Sequence, residues 1–275
     1  MTTSAPFERE DGLTLKFTGW IVGGITWVSA AIFGLYIIAF YGGAVQIGQP
    51  ERWNEHLPAL FDPASPSTVI AIGVHFVAGT ILLLAGPVQL IPHIRNTYPA
   101  IHRWLGRTYV GAGFISGLGG LAFILMRGTI GGLPMNIGFG LYGALMILAS
   151  VETYRHAAAR RLEQHRAWAI RLFALAIGSW LYRMEYGLWF ALTDPIGHTK
   201  TFDGWFDIVM SFFFYVPNLI VAELLIRGRN IQTNTMWHLF CTGILTLSTV
   251  FVAIGTYFFT TQFWGPQILA WLRTQ

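Results

Sequence analysis

Charge is scarce in this chain. Its 275 residues include 17 Lys and Arg and 13 Asp and Glu, together 11%, where a soluble domain carries roughly 25%. With 54% hydrophobic residues and a mean hydropathy of +0.53, it cannot clothe a water-facing surface. A soluble globular enzyme is excluded, and an integral membrane protein is implied. Cysteine is nearly absent: Cys241 stands alone, so neither an intrachain disulfide nor a cysteine-built metal site is available. No His-Glu-x-x-His pattern occurs, which argues against a zinc protease. A phosphate-cradling glycine loop and a serine-hydrolase elbow are also missing. Nucleic-acid binding is not expected, because the pI near 9.4 comes from arginines placed at membrane edges. The first apolar run is too long for a signal peptide, lacks a basic start and has no small-residue cleavage site, so it reads as retained.

What the chain does have is long apolar runs. A spanning helix needs about 20 such residues, and seven stretches qualify: Phe17–Tyr41, Val69–Ile91, Trp104–Met126, Leu133–Tyr154, Ala167–Leu192, Trp205–Ile226 and Trp237–Phe259. The runs are long and do not alternate, so the expected fold is an all-α polytopic helix bundle rather than a barrel. Residues 1–275 form one membrane domain in this reading. It has an N-terminal segment 1–16, an outer loop 42–68 and an interfacial C-terminal segment 260–275. The loop is expected to hold a helical turn around Trp53–Leu60, and Trp264 and Trp271 suit the headgroup level.

Orientation follows from Lys and Arg in the short loops. One side holds Arg9, Lys16, Arg95, Arg103, Arg107, Arg155, Arg160, Arg161, Arg166, Arg171, Arg227 and Arg229; the other holds only Arg52, Arg127, Lys200 and Arg273. The first side is expected to be cytoplasmic, with the N-terminus inside and the C-terminus outside. The expected location is the cell inner membrane, as a multi-pass protein.

Helical spacing sorts the polar residues. His75, Gly79, Gly86 and His93 lie near one face of the second span, and His102, Gly106, Gly113, Gly117 and Gly120 share a face of the third. Such a glycine face means tight helix packing, or else a groove for a flat ligand or lipid tail. In the fifth span His165, Ala169, Ala176, Ser179 and Arg183 share one face, and Arg171, Gly178 and Glu185 lie near another. A charge at membrane depth costs at least ~2.5–3.5 kcal/mol. Arg183 and Glu185 are two apart and cannot readily pair with each other, so each needs partners elsewhere and the helix should be central. His75, Arg183 and Glu185 all fall in the outer half and could meet there, with Asp207 near. Arg183 and Glu185 read equally as structural ion pairs or as a functional site. The cytoplasmic rim gathers His93, His102, His156, His165 and His238 among its arginines, with Glu152 and Glu223 at the inner helix ends.

Three elements carry a resemblance. They are His75 with Gly86-Pro87-Val88-Gln89, then His102-Arg103-Trp104-Leu105-Gly106-Arg107-Thr108-Tyr109, then His165-Arg166-Ala167-Trp168-Ala169-Ile170-Arg171 followed by Arg183. Over roughly Thr68 to Arg183 the chain resembles a bacterial family of predicted membrane proteins known only as a domain of unknown function. The resemblance implies a shared helical fold and shared His and Arg positions, and it supplies no activity.

Three functional readings stand side by side. The first is a redox protein binding b-type haem or a quinone. His102 and His165 would be axial ligands and Arg103, Arg166 and Arg171 would hold anionic groups. His75, Arg183 and Glu185 would line a second, outer polar site for a quinone headgroup or a proton. No other metal is expected. Eighteen residues separate His75 from His93, about 27 Å along a helix, which argues against a second haem between them. The second reading is a transporter or proton-coupled protein using the intramembrane His75, Arg183 and Glu185, with Gly86-Pro87 and Pro217 as candidate helix breaks. The third is an accessory subunit whose arginine rim binds anionic lipid at the cytoplasmic face or a larger membrane complex.

Overall fold

The computed structural model describes residues 6–56, 60–89, 91–228 and 235–274, with 6–16, 228, 235 and 238 by backbone alone. Arg229 and the side chains of Arg9, Lys16 and His238 therefore lie outside the described set.

The apolar runs form helices, and proline and glycine punctuate them. Helix α1 (Pro6–Ile37) continues through a π turn (Ile38–Gly42) into α2 (Gly43–Gln46), and a 3₁₀ turn follows (Pro50–Glu55). Next come α3 (Pro66–Gln89), α4 (Pro92–Thr97) and α5 (Pro99–Arg127). Each opens on a proline, whose missing N–H has no helical partner at that position anyway. Gly128, at φ +80°, ends α5 in a conformation that L side chains rarely adopt. The chain goes on through α6 (Gly132–Ala158), α7 (Leu162–Ala176), α8 (Gly178–Thr193), α9 (Trp205–Phe213), α10 (Val216–Gly228), α11 (Thr235–Phe259), a second π turn (Thr260–Trp264) and α12 (Gly265–Leu272). No strand occurs among the described residues.

Among the described residues, six stretches are long and apolar enough to cross a membrane: Phe17–Gln46, Pro66–Gln89, Pro99–Arg127, Gly132–Ala158, Trp205–Arg227 and Leu239–Leu272. The fifth run expected from the sequence carries a one-residue irregularity at Ile177, where the backbone stays near helical (φ −74°, ψ −17°) and the bonds to Phe173 and from Leu181 are kept. It separates α7 from α8, of 15 and 16 residues. At 1.5 Å per residue neither alone spans a hydrocarbon core of about 30 Å. The two together follow one path.

A second discontinuity faces the first. The Trp205–Arg227 stretch turns at Phe214–Tyr215, just before Pro217. Gly178 packs on this turn so closely that a Cβ there would lie 2.9 Å from the Phe214 carbonyl oxygen. Side chains satisfy carbonyls near both breaks, as a membrane interior demands. The Tyr142 hydroxyl donates to Leu175 O at 3.0 Å, and Asn218 Nδ2 donates to Phe214 O at 2.8 Å. Of the two breaks anticipated, the one at Pro217 forms. Gly86-Pro87 stays within α3, because a proline in the last turn removes little of the ladder.

Helices α3, α5, α6 and α7 pack in succession, and α1 lies against both α3 and α11. The α7–α8 path touches α3, α6, α10 and α11 and, through Arg183, α1. It occupies the centre of the bundle. Large apolar side chains such as Leu125, Leu247 and Val77 are exposed on the outside, as a lipid-facing surface requires.

Two expectations change. Trp264 does not present its ring to the surroundings: it is 2% exposed, packed between Phe33 at 5.2 Å and Phe259 at 5.1 Å. In the 42–68 loop the helical turn falls at Pro50–Glu55, earlier than expected, and residues 57–59 lie outside the described set.

Candidate functional site

The glycine face of α5 is filled by its neighbours. A Cβ at Gly106 would meet Gln89 of α3 at 3.4 Å, one at Gly113 would meet Ser150 of α6 at 2.6 Å, and one at Gly117 would meet the Gly143 carbonyl of α6 at 2.9 Å. Tight packing is therefore the role of these glycines, and no groove for a flat ligand or lipid tail remains along them. The seam also sets His75, whose ring occupies the space above Gly120.

At the basic end, His165 of α7 places Nδ1 2.9 Å from the Thr153 carbonyl of α6. A carbonyl only accepts, so Nδ1 carries a proton, and in the neutral ring Nε2 holds the lone pair. His102, at the start of α5, is an electrostatic neighbour of His165 and of Arg95 and Arg103. Its Nδ1 is buried with no partner among the described residues. Arg103 is exposed and Arg166 part-buried. Arg171 is already engaged: it pairs with Glu223 of α10 and lies 4.6 Å from the Trp168 ring centroid. His156 pairs with Glu152 at 3.2 Å, and His93 is exposed. His102 and His165 are thus within electrostatic reach of each other, and Arg103 is within reach of His102.

At the opposite end, His75 repeats the arrangement of His165. Its Nδ1 lies 2.9 Å from the Ser116 carbonyl of α5 and 3.1 Å from the Ser116 hydroxyl, and donation to the carbonyl leaves the lone pair of the neutral ring on Nε2. Arg183 of α8 is part-buried, donates from Nη1 to the Ser179 carbonyl at 2.8 Å, and lies 4.9 Å from the Phe33 ring centroid. No carboxylate pairs with it among the described residues. Its electrostatic neighbours are the Tyr36 and Tyr41 hydroxyls from α1 and the π turn, His75 from α3, and His56 from the loop. The loop covers this cluster. Trp53 is 6% exposed and donates from Nε1 to the Tyr41 carbonyl at 2.9 Å, and the His56 ring sits 4.7 Å from Phe40. A salt bridge from Arg127 to Asp62, at 2.8 Å, ties the loop to the end of α5.

Glu185 does not join His75 and Arg183. Arg183 faces Phe33, while one carboxylate oxygen of Glu185 is buried elsewhere with no partner among the described residues. Asp207 also stands apart. It is fully buried and accepts from the Tyr186 hydroxyl at 2.7 Å, His198 Nδ1 at 2.8 Å and the Thr199 and Gly204 backbone amides at 3.1 Å. These bonds fasten the 194–204 connection to α9, a structural task.

Tyr36, Tyr41 and His56 are absent from the sequence-derived site. Tyrosines in an apolar run carry no helical signature that separates a site from a core, and His56 lies in a loop far from Arg183 along the chain.

The architecture and the buried intramembrane charges define a polytopic α-helical membrane protein, embedded in a lipid bilayer. Comparison with family models makes this specific: residues 72–226 match the model described as a predicted membrane protein (DUF2306), and the chain belongs to that family. The match covers both His-bearing ends and α9–α10, and leaves out α1 and α11, which close the bundle around Arg183. Comparison with curated proteins and with solved structures gives no match.

Proposed function

We propose that the protein is a bacterial inner-membrane redox protein that binds a quinone headgroup in the Arg183 cluster. The observation that carries this reading is a guanidinium in an apolar run whose partners are the Ser179 carbonyl, the Phe33 ring face and the Tyr41 hydroxyl, with no carboxylate partner among the described residues. A guanidinium has five donors in a fixed fork, so donors remain for an acceptor beyond those turned to Ser179 and Tyr41. A quinone offers two carbonyl acceptors on a flat ring. The Tyr36 and Tyr41 hydroxyls lie on one side of the cluster, and Phe33, Phe40 and Phe76 supply flat apolar walls. His75, with Nδ1 already donated, would accept a quinol hydroxyl through Nε2. Glu185 remains a separate intramembrane acid in this reading.

In the same reading His102 and His165 hold b-type haem iron, with Arg103 and Arg166 near for anionic groups. The support is the His165 tautomer, since a ligating histidine commonly donates its other ring N–H to a carbonyl. Arg171, paired with Glu223, serves the helix packing. The exposed Arg95, Arg103, Arg107, Arg160 and Arg161 suit anionic lipid at a cytoplasmic face.

Titration of the detergent-purified protein with a short-chain quinone tests the main claim. Saturable binding is expected, weakened at least about tenfold in Arg183→Gln, or roughly 1.4 kcal/mol. Absence of saturable binding by a monodisperse wild-type protein removes the quinone. An optical spectrum, oxidised and reduced, tests the haem separately: no Soret band after haem supplementation removes it and leaves the quinone reading standing.

One observation favours a second reading. The facing breaks at Ile177 and Phe214–Tyr215 are the kind of discontinuity that transporters place near a substrate site. The Arg183 cluster would then hold a carried organic anion. Uptake into proteoliposomes that is lost in Arg183→Ala and His75→Ala would favour transport over redox chemistry.

A further inference from the structure

Sequence spacing separates the His102/His165 end from Arg183 by most of the membrane thickness. The interior between them is not wholly apolar. Three polar atoms on the α3–α5 seam are buried without a protein partner among the described residues: His102 Nδ1, Gln89 Nε2 and the Tyr109 hydroxyl. They lie on successive turns. Gln89 rests against Gly106, one turn on from His102, and Tyr109 rests against Gly86, one turn before Gln89. Tyr109 is 6% exposed and is an electrostatic neighbour of Tyr142 on α6. The Tyr142 hydroxyl reaches the break in the central helix, where it donates to the Leu175 carbonyl and lies beside the Ser179 side chain. The Ser179 carbonyl in turn accepts from Arg183.

Unpaired buried polar atoms are rare, and several in succession need something polar between them. Water is the smallest group that could satisfy them, and each such water needs two to four polar partners. A hydroxyl and an imidazole each give and take a proton, and an amide orients the water beside it.

We propose that His102, Gln89, Tyr109 and Tyr142 line a hydrated proton path that runs from the basic end to the Arg183 cluster and stops at the guanidinium. Its fixed positive charge, at the inner end of a narrow polar passage, opposes a proton moving further, as an arginine does in proton-excluding pores. The path delivers protons to whatever ligand the cluster holds, and it blocks a leak across the membrane. It goes beyond the quinone reading and does not depend on it.

The test uses the full-length protein in liposomes with an entrapped pH dye, a pH step and a potassium–valinomycin clamp, and no quinone. Wild-type protein is expected to equilibrate no faster than protein-free liposomes. Arg183→Gln should equilibrate several-fold faster, and adding Tyr142→Phe should return it to the protein-free rate. Tyr257→Phe, on a 74% exposed lipid-facing side chain, should leave the Arg183→Gln leak unchanged. An Arg183→Gln protein that is tight, or whose leak ignores Tyr142→Phe, overturns the proposal. Should Arg183→Gln fail to reconstitute, pulsed X-ray hydroxyl-radical labelling of the wild type decides. Allowing for intrinsic reactivity, Tyr109 should label several-fold faster than the similarly buried Phe123, and equal labelling overturns the path. Quinone binding is measured in a separate titration, so either claim can fail alone.

Discussion

His56 is half in water and half in the site. Its ring lies on Phe40 while its surface remains exposed, and it feels Arg183 from the loop. Burial lowers its affinity for a proton, Arg183 and Arg52 lower it further, and Glu55 opposes them. A histidine in the unfolded chain titrates near 6.5, so the unfolded state takes up the proton first as pH falls. Stability is therefore full above about 6.5 and declines below it, towards the lower folded value. Thermal unfolding in detergent, followed by Trp fluorescence because buried Trp53 sits in the same loop, should show a midpoint that drops between pH 7 and pH 5. His56→Gln should flatten that drop, and an equal drop in the variant would refute the assignment. Arg183 was visible in the sequence because a charge in an apolar run carries a known cost. Its neighbours Tyr36, Tyr41 and His56 were not, because only folding brings α1 and the loop against α8.

At the scale of elements, the helices follow from run length and from prolines at their starts, and most spans lie where hydropathy puts them. The break at Ile177 does not follow. The residues around it, Ala176-Ile177-Gly178-Ser179, read as uninterrupted helix, and the interruption appears only where α9–α10 turns against it. Gly178 is the contact point, and it gives a prediction with an unusual sign. Glycine to alanine inside a helix ordinarily stabilises by roughly 0.5–1 kcal/mol. Gly178→Ala should instead destabilise by about 1–3 kcal/mol, because its Cβ would meet the Phe214 backbone at 2.9 Å. Gly79→Ala, where a Cβ meets nothing within 4 Å, should show the ordinary sign. Differential scanning of the two variants in one detergent compares them directly, and like behaviour would mean that the two breaks do not bear on each other.

At the scale of the whole molecule, the excess of arginine at one end sets the orientation we propose. In a Cys241→Ala background, a cysteine at Thr129 should react with an impermeant maleimide on intact cells. One at Arg160 should react only after permeabilisation. The reverse pattern would invert the molecule and put the His102/His165 end outside. Composition and hydropathy were enough to determine a membrane-embedded helical protein, since a chain with 11% charge has no other way to satisfy its surface. The intramembrane charges were legible too, as were the two His-bearing ends, because helical spacing is a local property. Which charges share a site was decided only in three dimensions. Arg183 lies within electrostatic reach of His75 and hydrogen-bonds Tyr41, while Glu185, two residues from Arg183, has a buried carboxylate oxygen without a partner among the described residues. The glycine face of α5 is closed by α3 and α6, and the polar atoms left along that seam are unpaired. The physical reason is that spacing along one helix says which way a side chain points, and only packing between helices says what it meets.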